Sequence, residues 1–307
     1  MNAASRRQFL VQSGQVGMVA LASTWLSPRV YANPLGRPVG IQLYTVNVQM
    51  QADPAGTLKK LREIGFGEVE SASMGKLSSA EFRRLLDDAG LPCPSAHLQF
   101  DIDNLGPSFA DAHALGAKYA TSGLLRSAAV DLKPAGTSTK PSMDLDQAKR
   151  IAELANRIGD AAKRAGLQYV YHNHDFEFAH QGGGVTGYDL LLRETDPELV
   201  KFEIDCGWMV FAGRNPVDYF KKYPGRFPMI HVKDFLARPD KNAAAGAAAE
   251  MLGAELGHGV VDYKPIFAAA KEAGLQHYFV EQEGPFSRMD QLQAARVDYE
   301  YLHAMHA

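Results

Sequence analysis

Acidic and histidine side chains end three consecutive apolar segments of this chain. The three residues are Asp205, His231 and Glu281. Carboxylate oxygens and imidazole nitrogens together suit a divalent Mn, Co, Mg, Fe or Zn ion. The residue types therefore predict a metal site, provided that the fold brings the ends of these segments together.

A fourth metal ligand is expected from the segment that precedes them. His172 and His174 lie at the end of that segment, and Glu177 lies just beyond it. Either an imidazole nitrogen or a carboxylate oxygen completes such a site. The sequence leaves the choice among these three residues open.

Polar and apolar side chains alternate along the same segments. Phe202 and Ile204 alternate with Glu203 and Asp205. Successive side chains of a strand point to opposite faces, so the ionisable residues are predicted to share one buried face. The same alternation predicts inward positions for Gln42, Tyr44, Glu68, Glu70, Ser95, His97, His172, His174, His231, Lys233, Glu281 and Glu283. A buried charge is costly unless it is paired or bound to a cation, which favours a functional site.

Short strand-like segments recur along the chain, each followed by a helical pattern. We predict strands at residues 39–46, 68–71, 93–100, 118–122, 167–173, 201–206, 228–233 and 277–281. Eight alternating units of this kind are typical of a parallel sheet and predict a single (β/α)8 TIM barrel. The active site of such a barrel lies at the carboxyl ends of its strands. A doubly wound open sheet is the alternative, although no GxGxxG motif follows the first strand to favour it.

The composition excludes some classes of function. The chain has 307 residues, of which 46% are hydrophobic and 22% are charged, as expected for a globular protein with a large core. A formal net charge of -3 without a basic run argues against a nucleic-acid partner. Two cysteines, Cys93 and Cys206, are too few for a disulfide framework. The expected partner is a small neutral or anionic metabolite.

Residues 1–32 form a segment of a different kind. They contain the pair Arg6-Arg7, no acidic residue, and a small residue, Ala32, at the expected cleavage point. These features resemble a twin-arginine export signal. We therefore expect a mature barrel of residues 33–307 in the periplasm, without a stable membrane span after cleavage. An ordinary amphipathic N-terminal helix is the alternative.

Four runs of the sequence resemble a known family. They are residues 39–45 (VGIQLYT), 65–70 (GFGEVE), 171–178 (YHNHDFEF) and 231–234 (HVKD). These runs look like the sugar phosphate isomerase/epimerase family of xylose-isomerase-like barrels, and the resemblance covers essentially all of the chain after the leader. Members act mostly on ketoses, inososes and oxidised sugars, so the resemblance implies an isomerase, an epimerase or a carbon–oxygen lyase.

The resemblance also implies roles for particular residues. Family members hold a divalent metal with Glu, Asp, His and Glu from the last four strands, and Asp205, His231 and Glu281 match the last three. Where the epimerases place the first Glu, this chain has His172 and His174, and inosose dehydratases also carry histidines there. The missing carboxylate argues against simple two-base epimerisation and favours elimination.

The implied chemistry is removal of a proton beside a carbonyl group through an enediolate. Glu281 is expected to act as the base as well as a ligand, and Lys233 to stabilise the oxyanion. At a pKa of about 6.5, His172 or His174 can return the proton or protonate a leaving oxygen.

Substrate contacts are predicted at four further positions, namely Glu70, His97, Trp208 and His258. A hydrogen-bonded core histidine is an equally good interpretation of His97. The alternative function is a non-catalytic periplasmic sugar-binding barrel, and self-association into a homo-oligomer stays open. A DNA-repair endonuclease shares the barrel and metal geometry, but it needs a basic surface that this acidic chain lacks.

Overall fold

The computed structural model describes residues 33, 35–123, 125, 142–179, 184–236, 252–286 and 288–305. The predicted export signal lies outside this part of the chain. No helix within the described ranges has the length and apolar character that a membrane crossing requires.

Eight parallel strands form the centre of the fold. They are β1 Gly40–Gln42, β2 Glu68–Ser71, β3 Ser95–His97, β4 Tyr119–Ser122, β5 Gln168–His172, β6 Val200–Asp205, β7 Met229–Val232 and β10 His277–Val280. A small antiparallel pair, β8 Asp234–Phe235 and β9 Gly253–Ala254, lies between the last two. The eight strands close in the order β1-β10-β7-β6-β5-β4-β3-β2. This closed ring confirms the predicted single (β/α)8 barrel.

Helices follow the strands around the outside of the barrel. They are α1 Asn47–Ala52, α2 Pro54–Ile64, α3 Ser79–Ala89, α4 Gly106–Leu115, α5 Leu145–Arg164, α6 Gly187–Glu194, α7 Cys206–Phe211, α8 Pro216–Lys222, α9 Tyr263–Glu272 and α10 Gln291–Ala304. The longest helix, α5, begins at a capping box of Asp144 with Gln147 and buries Ile151 and Ile158. The apolar faces of the helices thus cover the outside of the sheet, while the lumen holds the polar side chains together with a small apolar cluster of Val170, Met229 and Phe279.

Two predicted strands are shorter than expected by five residues each. The strand predicted at residues 39–46 ends at Gln42, because the Gln42 side chain accepts a hydrogen bond from the Tyr44 N–H at 3.0 Å and a 3-10 helix, Leu43–Val46, begins. Tyr44 therefore lies beyond the strand rather than inside the lumen as predicted; it is 50% exposed and forms part of the wall of the cavity at the carboxyl end of the barrel. The strand predicted at residues 93–100 is only Ser95–His97, and Pro94 just before it has no N–H for the sheet.

The strand register brings the predicted site residues to one end of the barrel. Asp205 pairs with His231 across β6 and β7, and Val232 pairs with Val280 across β7 and β10. Glu281 follows Val280 directly, so all three donors lie at the carboxyl ends of their strands. The opposite, amino end holds a separate pair, in which His277 Nδ1 is 2.9 Å from Glu68 Oε1.

Candidate active site

A cavity of about 580 Å³ opens at the carboxyl end of the barrel. Its walls include His97, His172, His174, Glu281 and Glu283. Four of these five residues are ones that the sequence predicts for the site. The cavity is therefore the place where a small substrate meets the predicted chemistry.

Four donors converge beside this cavity, and we call them the outer donor group. They are His172, Asp205, His231 and Glu281, and one ligand atom of each lies within 4.8 Å of the others. His231 Nδ1 is 3.0 Å from Glu281 Oε2 and 3.9 Å from Asp205 Oδ2. Two imidazoles and two carboxylates form a donor set that suits a divalent transition metal, so the residues fit the implied cofactor.

Glu177 takes a different place from the other candidates for the fourth ligand. Its Oε1 accepts a hydrogen bond from the Tyr171 hydroxyl and its Oε2 accepts one from the His174 N–H, both at 2.9 Å. It is fully buried and is not a member of the outer donor group, whereas His172 is. Glu177 therefore orients the end of β5, and His172 presents the nitrogen donor from this strand.

Burial raises the pKa of Glu177 to about 8, although the bonds from Tyr171 and His174 oppose the change. The folded protein thus holds this proton more tightly than the unfolded chain does. The contribution of the protonated Glu177 to the free energy of unfolding is complete below pH 4.5, the ordinary carboxyl pKa, and is lost as the pH rises to about 8.

We expect Glu177→Gln, which carries no charge, to be increasingly more stable than the wild type as the pH rises from 5 to 8. Urea unfolding at several pH values measures the difference. Glu153→Gln, on the exposed face of α5, is the control and should show a small difference that does not change with pH. A pH-independent difference for Glu177→Gln would contradict the assignment.

The ammonium of Lys233 lies among three carboxylates. Its Nζ is 2.9 Å from Asp205 Oδ2, 2.8 Å from Glu281 Oε2 and 2.5 Å from Glu283 Oε1. Burial alone would lower the pKa of Lys233, but the three carboxylates outweigh it and raise the pKa well above its ordinary value. Lys233 therefore stays charged and neutralises part of the buried acid.

Asp205 has two roles, one for each oxygen. Its Oδ1 accepts a hydrogen bond from the Trp208 N–H at 2.8 Å and caps α7, while Oδ2 contacts Lys233. The Trp208 indole N–H donates to Glu283 at 3.3 Å, and Lys233 Nζ is 5.1 Å from the centre of the indole ring. Trp208 is half-buried near the cavity and helps to position Glu283 and Lys233.

His172 at the end of β5 and His174 just beyond it are both neutral. Burial lowers the pKa of His172 well below its ordinary value, and His231 and His174 lower it further. Burial and Lys233 lower the pKa of His174 to about 3. Because His172 Nδ1 is 3.0 Å from Glu203 Oε2, a neutral His172 donates there and keeps Nε2 free as an acceptor. The expected near-neutral titration of these two histidines is therefore corrected.

A second group of donors lies deeper in the barrel, and we call it the inner ring. Its members are Glu70, His97, Glu203 and His231, of which the sequence predicts Glu70 and His97 as substrate contacts. His97 Nε2 is 3.2 Å from Glu70 Oε2 and 3.1 Å from Glu203 Oε2. His231 Nε2 is 2.6 Å from Glu70 Oε2 and 3.2 Å from Glu203 Oε2. Glu70 also accepts a hydrogen bond from Ser95.

Protons on the histidines balance the carboxylates of the inner ring. Burial lowers the pKa of His97, but Glu70 and Glu203 outweigh it and raise the pKa to about 10. Burial raises the pKa of Glu70, but His97 and His231 outweigh it and lower the pKa below its ordinary value. Burial and the charge of Glu70 raise the pKa of Glu203 to about 7.

Two residues show where the sequence pattern was incomplete. The alternation predicts that Glu203 points inward, but the sequence analysis gives this residue no role. Its position two residues before Asp205, on the same face of β6, was the signal that it belongs to the site. His258, predicted as a substrate contact, is exposed and outside the walls of the cavity among the described residues. The N–H groups of Gly257 and Gly259 on either side of it donate to Asp234, which fixes this loop away from the site.

Comparisons with known proteins agree with this architecture. The family described as xylose isomerase-like TIM barrel matches residues 58–305. The chain is 30% identical over 185 residues to an inosose dehydratase of Lacticaseibacillus casei, covering 55% of this chain and 58% of that protein. It is 32% identical over 168 residues to an inosose dehydratase of Clostridium tetani, covering 51% and 54%. The chain thus spans little more than half the length of these relatives.

Solved structures show the same fold. A sugar phosphate isomerase/epimerase from Parabacteroides distasonis superposes with a TM-score of 0.71 at 24% identity, covering 87% of this chain and 94% of that one. A xylose isomerase-like TIM barrel protein from Mycobacterium smegmatis in complex with magnesium superposes with a TM-score of 0.62 at 20% identity, covering 88% and 97%. At this level of identity the likeness concerns the fold.

Proposed function

Because the chain belongs to the xylose isomerase-like TIM barrel family, we propose that it is a metal-dependent enzyme that modifies a sugar. The preferred reaction is elimination of a β-oxygen substituent from a keto-sugar, an inosose or a 3-keto-glycoside. Isomerisation and epimerisation are the other outcomes of the same enediolate. The similarity to inosose dehydratases supports a lyase reaction. The observation that carries the proposal is the position of the Glu281 carboxylate on the cavity wall.

Glu281 has the properties of the base. Burial raises its pKa, but Lys233 and His231 outweigh burial and hold the pKa well below its ordinary value, so the carboxylate is ionised. Its Oε2 contacts Lys233 and His231, and no described residue forms a hydrogen bond to its Oε1. Oε1 is therefore the oxygen that accepts the proton beside the substrate carbonyl.

The same carboxyl group can complete the elimination. Since His172 and His174 are both neutral, neither brings an imidazolium proton to the leaving oxygen. The protonated Glu281 returns its proton to that oxygen, the carbon–oxygen bond breaks, and a carbon–carbon double bond forms beside the carbonyl. The base is then restored, and the charge is unchanged over the cycle.

The implied metal belongs at the outer donor group, where His172, Asp205, His231 and Glu281 would hold it. A divalent cation there would supply positive charge for a substrate oxygen that becomes negative. Three carboxylate oxygens lie within 2.9 Å of Lys233 Nζ, one for each of its three N–H donors. Because no donor is left for the substrate, the role of Lys233 is to keep Glu281 ionised.

Incubation with candidate substrates in heavy water tests the proposal. The metal-loaded protein is mixed with 3-keto-glycosides, inososes and free ketoses, and the products are identified by NMR. Loss of water or of an aglycone is expected. Deuterium at a retained stereocentre without elimination would favour epimerisation, and the absence of any exchange over the panel would favour a sugar-binding barrel.

We further propose that the protein is exported by the twin-arginine route to the periplasm. The support is the pair Arg6-Arg7 in an acid-free leader. Replacing both with Lys is expected to abolish export, which cell fractionation measures, whereas Arg29→Lys in the same leader should not. Mature protein outside the cytoplasm in the double variant would contradict this route.

A further inference from the structure

A second cavity of about 580 Å³ adjoins the candidate active site. Four residues line both cavities, namely Tyr44, Ala72, Ser73 and Met74, so the two spaces lie side by side along them. A pocket for a whole ligand of drug size usually has a volume of about 300–1,000 Å³. The first cavity alone is therefore large enough for a sugar ring, and the second is additional space that a monosaccharide does not need.

The walls of the second cavity are mainly apolar. Its most deeply buried members are Leu43, Met50 and Phe82, which are 2%, 8% and 1% exposed. Pro54 and Leu77 add to the apolar surface. Among the described residues that line this cavity there is no acid and no histidine, in contrast to the first cavity. Such walls favour a ligand group that is apolar and uncharged.

Two polar members of these walls already have partners within the protein. The Ser73 hydroxyl oxygen accepts a hydrogen bond from the Gly75 N–H at 3.1 Å. Asn47 Oδ1 accepts one from the side-chain amide of Gln291, also at 3.1 Å. The second cavity therefore selects a ligand by shape and apolar surface more than by hydrogen bonds.

The boundary between the two cavities suits an aromatic ring. Tyr44 lines both cavities and is 50% exposed, so its phenol ring offers a flat apolar surface. Met74 also lines both, and a flexible thioether adapts to the shape of a ligand and packs favourably against an aromatic ring. A ligand that extends from the first cavity into the second passes these two side chains.

The proposed elimination gives this space a use with one class of substrate. In a free ketose or an inosose, the leaving oxygen belongs to a hydroxyl group and needs no further room. In a 3-keto-glycoside, Glu281 takes the proton from C2, the C1–O bond breaks and the C1–C2 double bond forms. The proton then passes from Glu281 to the oxygen of the departing alcohol. The substituent on that oxygen needs a place beside the sugar ring.

On the basis of the proposed elimination, we propose that the second cavity is the subsite for an uncharged aromatic aglycone. The substrates are accordingly 3-keto-glycosides whose aglycone lies along Tyr44 and Met74 and packs against the apolar walls beyond them. Because the first cavity holds Glu281 in its wall, the sugar occupies the first cavity and the aglycone the second. A free ketose or an inosose would leave the second cavity without a ligand.

Two unoxidised glucosides test the subsite without turnover. Ethyl glucoside and 2-phenylethyl glucoside both derive from a primary alcohol and differ in the phenyl ring. Neither has the carbonyl group that proton removal requires. Calorimetry with the metal-loaded, full-length protein measures their dissociation constants. We expect 2-phenylethyl glucoside to bind about 10- to 100-fold more tightly, the effect of removing an aromatic ring from water.

Variants of the second cavity locate the phenyl ring. Leu77→Glu places a carboxylate in this cavity without changing the first, and should reduce the affinity for 2-phenylethyl glucoside to about that for ethyl glucoside. Gln51→Trp fills the same cavity from an exposed position on α1, and it decides the question if Leu77→Glu does not fold. Lys59→Trp, exposed on α2 and outside the walls of both cavities, is the control and should keep the full preference.

Three results would overturn the proposal. One is equal affinity of the wild type for the two glucosides, and another is a preference that both cavity variants retain. The third is a dimer, seen by gel filtration, that Leu77→Glu dissociates, because the occupant of the cavity would then be a second copy of the chain.

Failure of the proposed function would look different. A protein that prefers 2-phenylethyl glucoside but releases no 2-phenylethanol from the 3-keto derivative retains the aglycone subsite and loses the elimination. A protein that eliminates water from inososes and binds the two glucosides equally well retains the elimination and loses the subsite.

Discussion

Replacing Glu281 with Gln is expected to lower kcat for the proposed elimination by about 10²–10⁴-fold, the usual contribution of a positioned proton-transfer group. The amide cannot accept the proton beside the carbonyl. The change is nearly isosteric, so the cavity keeps its shape. The measurement is the rate of exchange and of elimination by NMR, with substrate binding followed separately by calorimetry.

A neighbouring carboxylate serves as the matched control for Glu281. Glu283 lies on the same cavity wall and contacts the same ammonium, but it is not part of the outer donor group. Glu283→Gln should therefore reduce kcat far less than Glu281→Gln does. If the two variants were equally active, Glu281 would not be the base.

Replacing Lys233 with Met is expected to lower the free energy of unfolding by about 3–5 kcal/mol. The variant leaves Asp205, Glu281 and Glu283 close together without their shared ammonium. Removal of one partner from a buried ion pair leaves an uncompensated charge, which costs more than the pair contributed. Guanidinium unfolding in the presence of a chelator measures the effect without interference from bound metal.

Two further variants define the meaning of this loss. Lys264→Met, on the exposed side of α9, should change the free energy of unfolding by about 0.5 kcal/mol or less. Adding Asp205→Asn to Lys233→Met should recover part of the lost stability, because one of the unpaired carboxylates is then neutral. A loss below about 1 kcal/mol in the single variant would show that the carboxylates do not depend on the ammonium.

Alternation along the strands predicted the buried charges because it depends only on extended backbone geometry. It holds for Glu203 and Asp205 on β6, and for His231 on β7, all of which are inaccessible. It fails at Tyr44, where the chain leaves the strand at Gln42 and turns into a 3-10 helix. A local hydrogen bond to a side chain was enough to change the direction of the residue.

Contacts across the lumen were beyond the reach of the pattern. The inner ring joins Glu70 of β2 and His97 of β3 to Glu203 and His231 of β6 and β7, strands on the opposite side of the barrel. Sequence spacing gives the face of each side chain but not its partner across the lumen. The same limit applies to His172 and His174, whose pKa values depend on burial and on residues that are distant in the sequence.

Closure of the barrel depends on the first and the last of its eight strands. Gly40 in β1 pairs with Phe279 in β10, so the seam joins residues that are far apart in the sequence. Contacts this distant along the chain form late in folding. The seam, and with it the complete lumen, therefore forms only after β10 has been synthesised, and any ion that resides there must be acquired by a chain that already contains both strands.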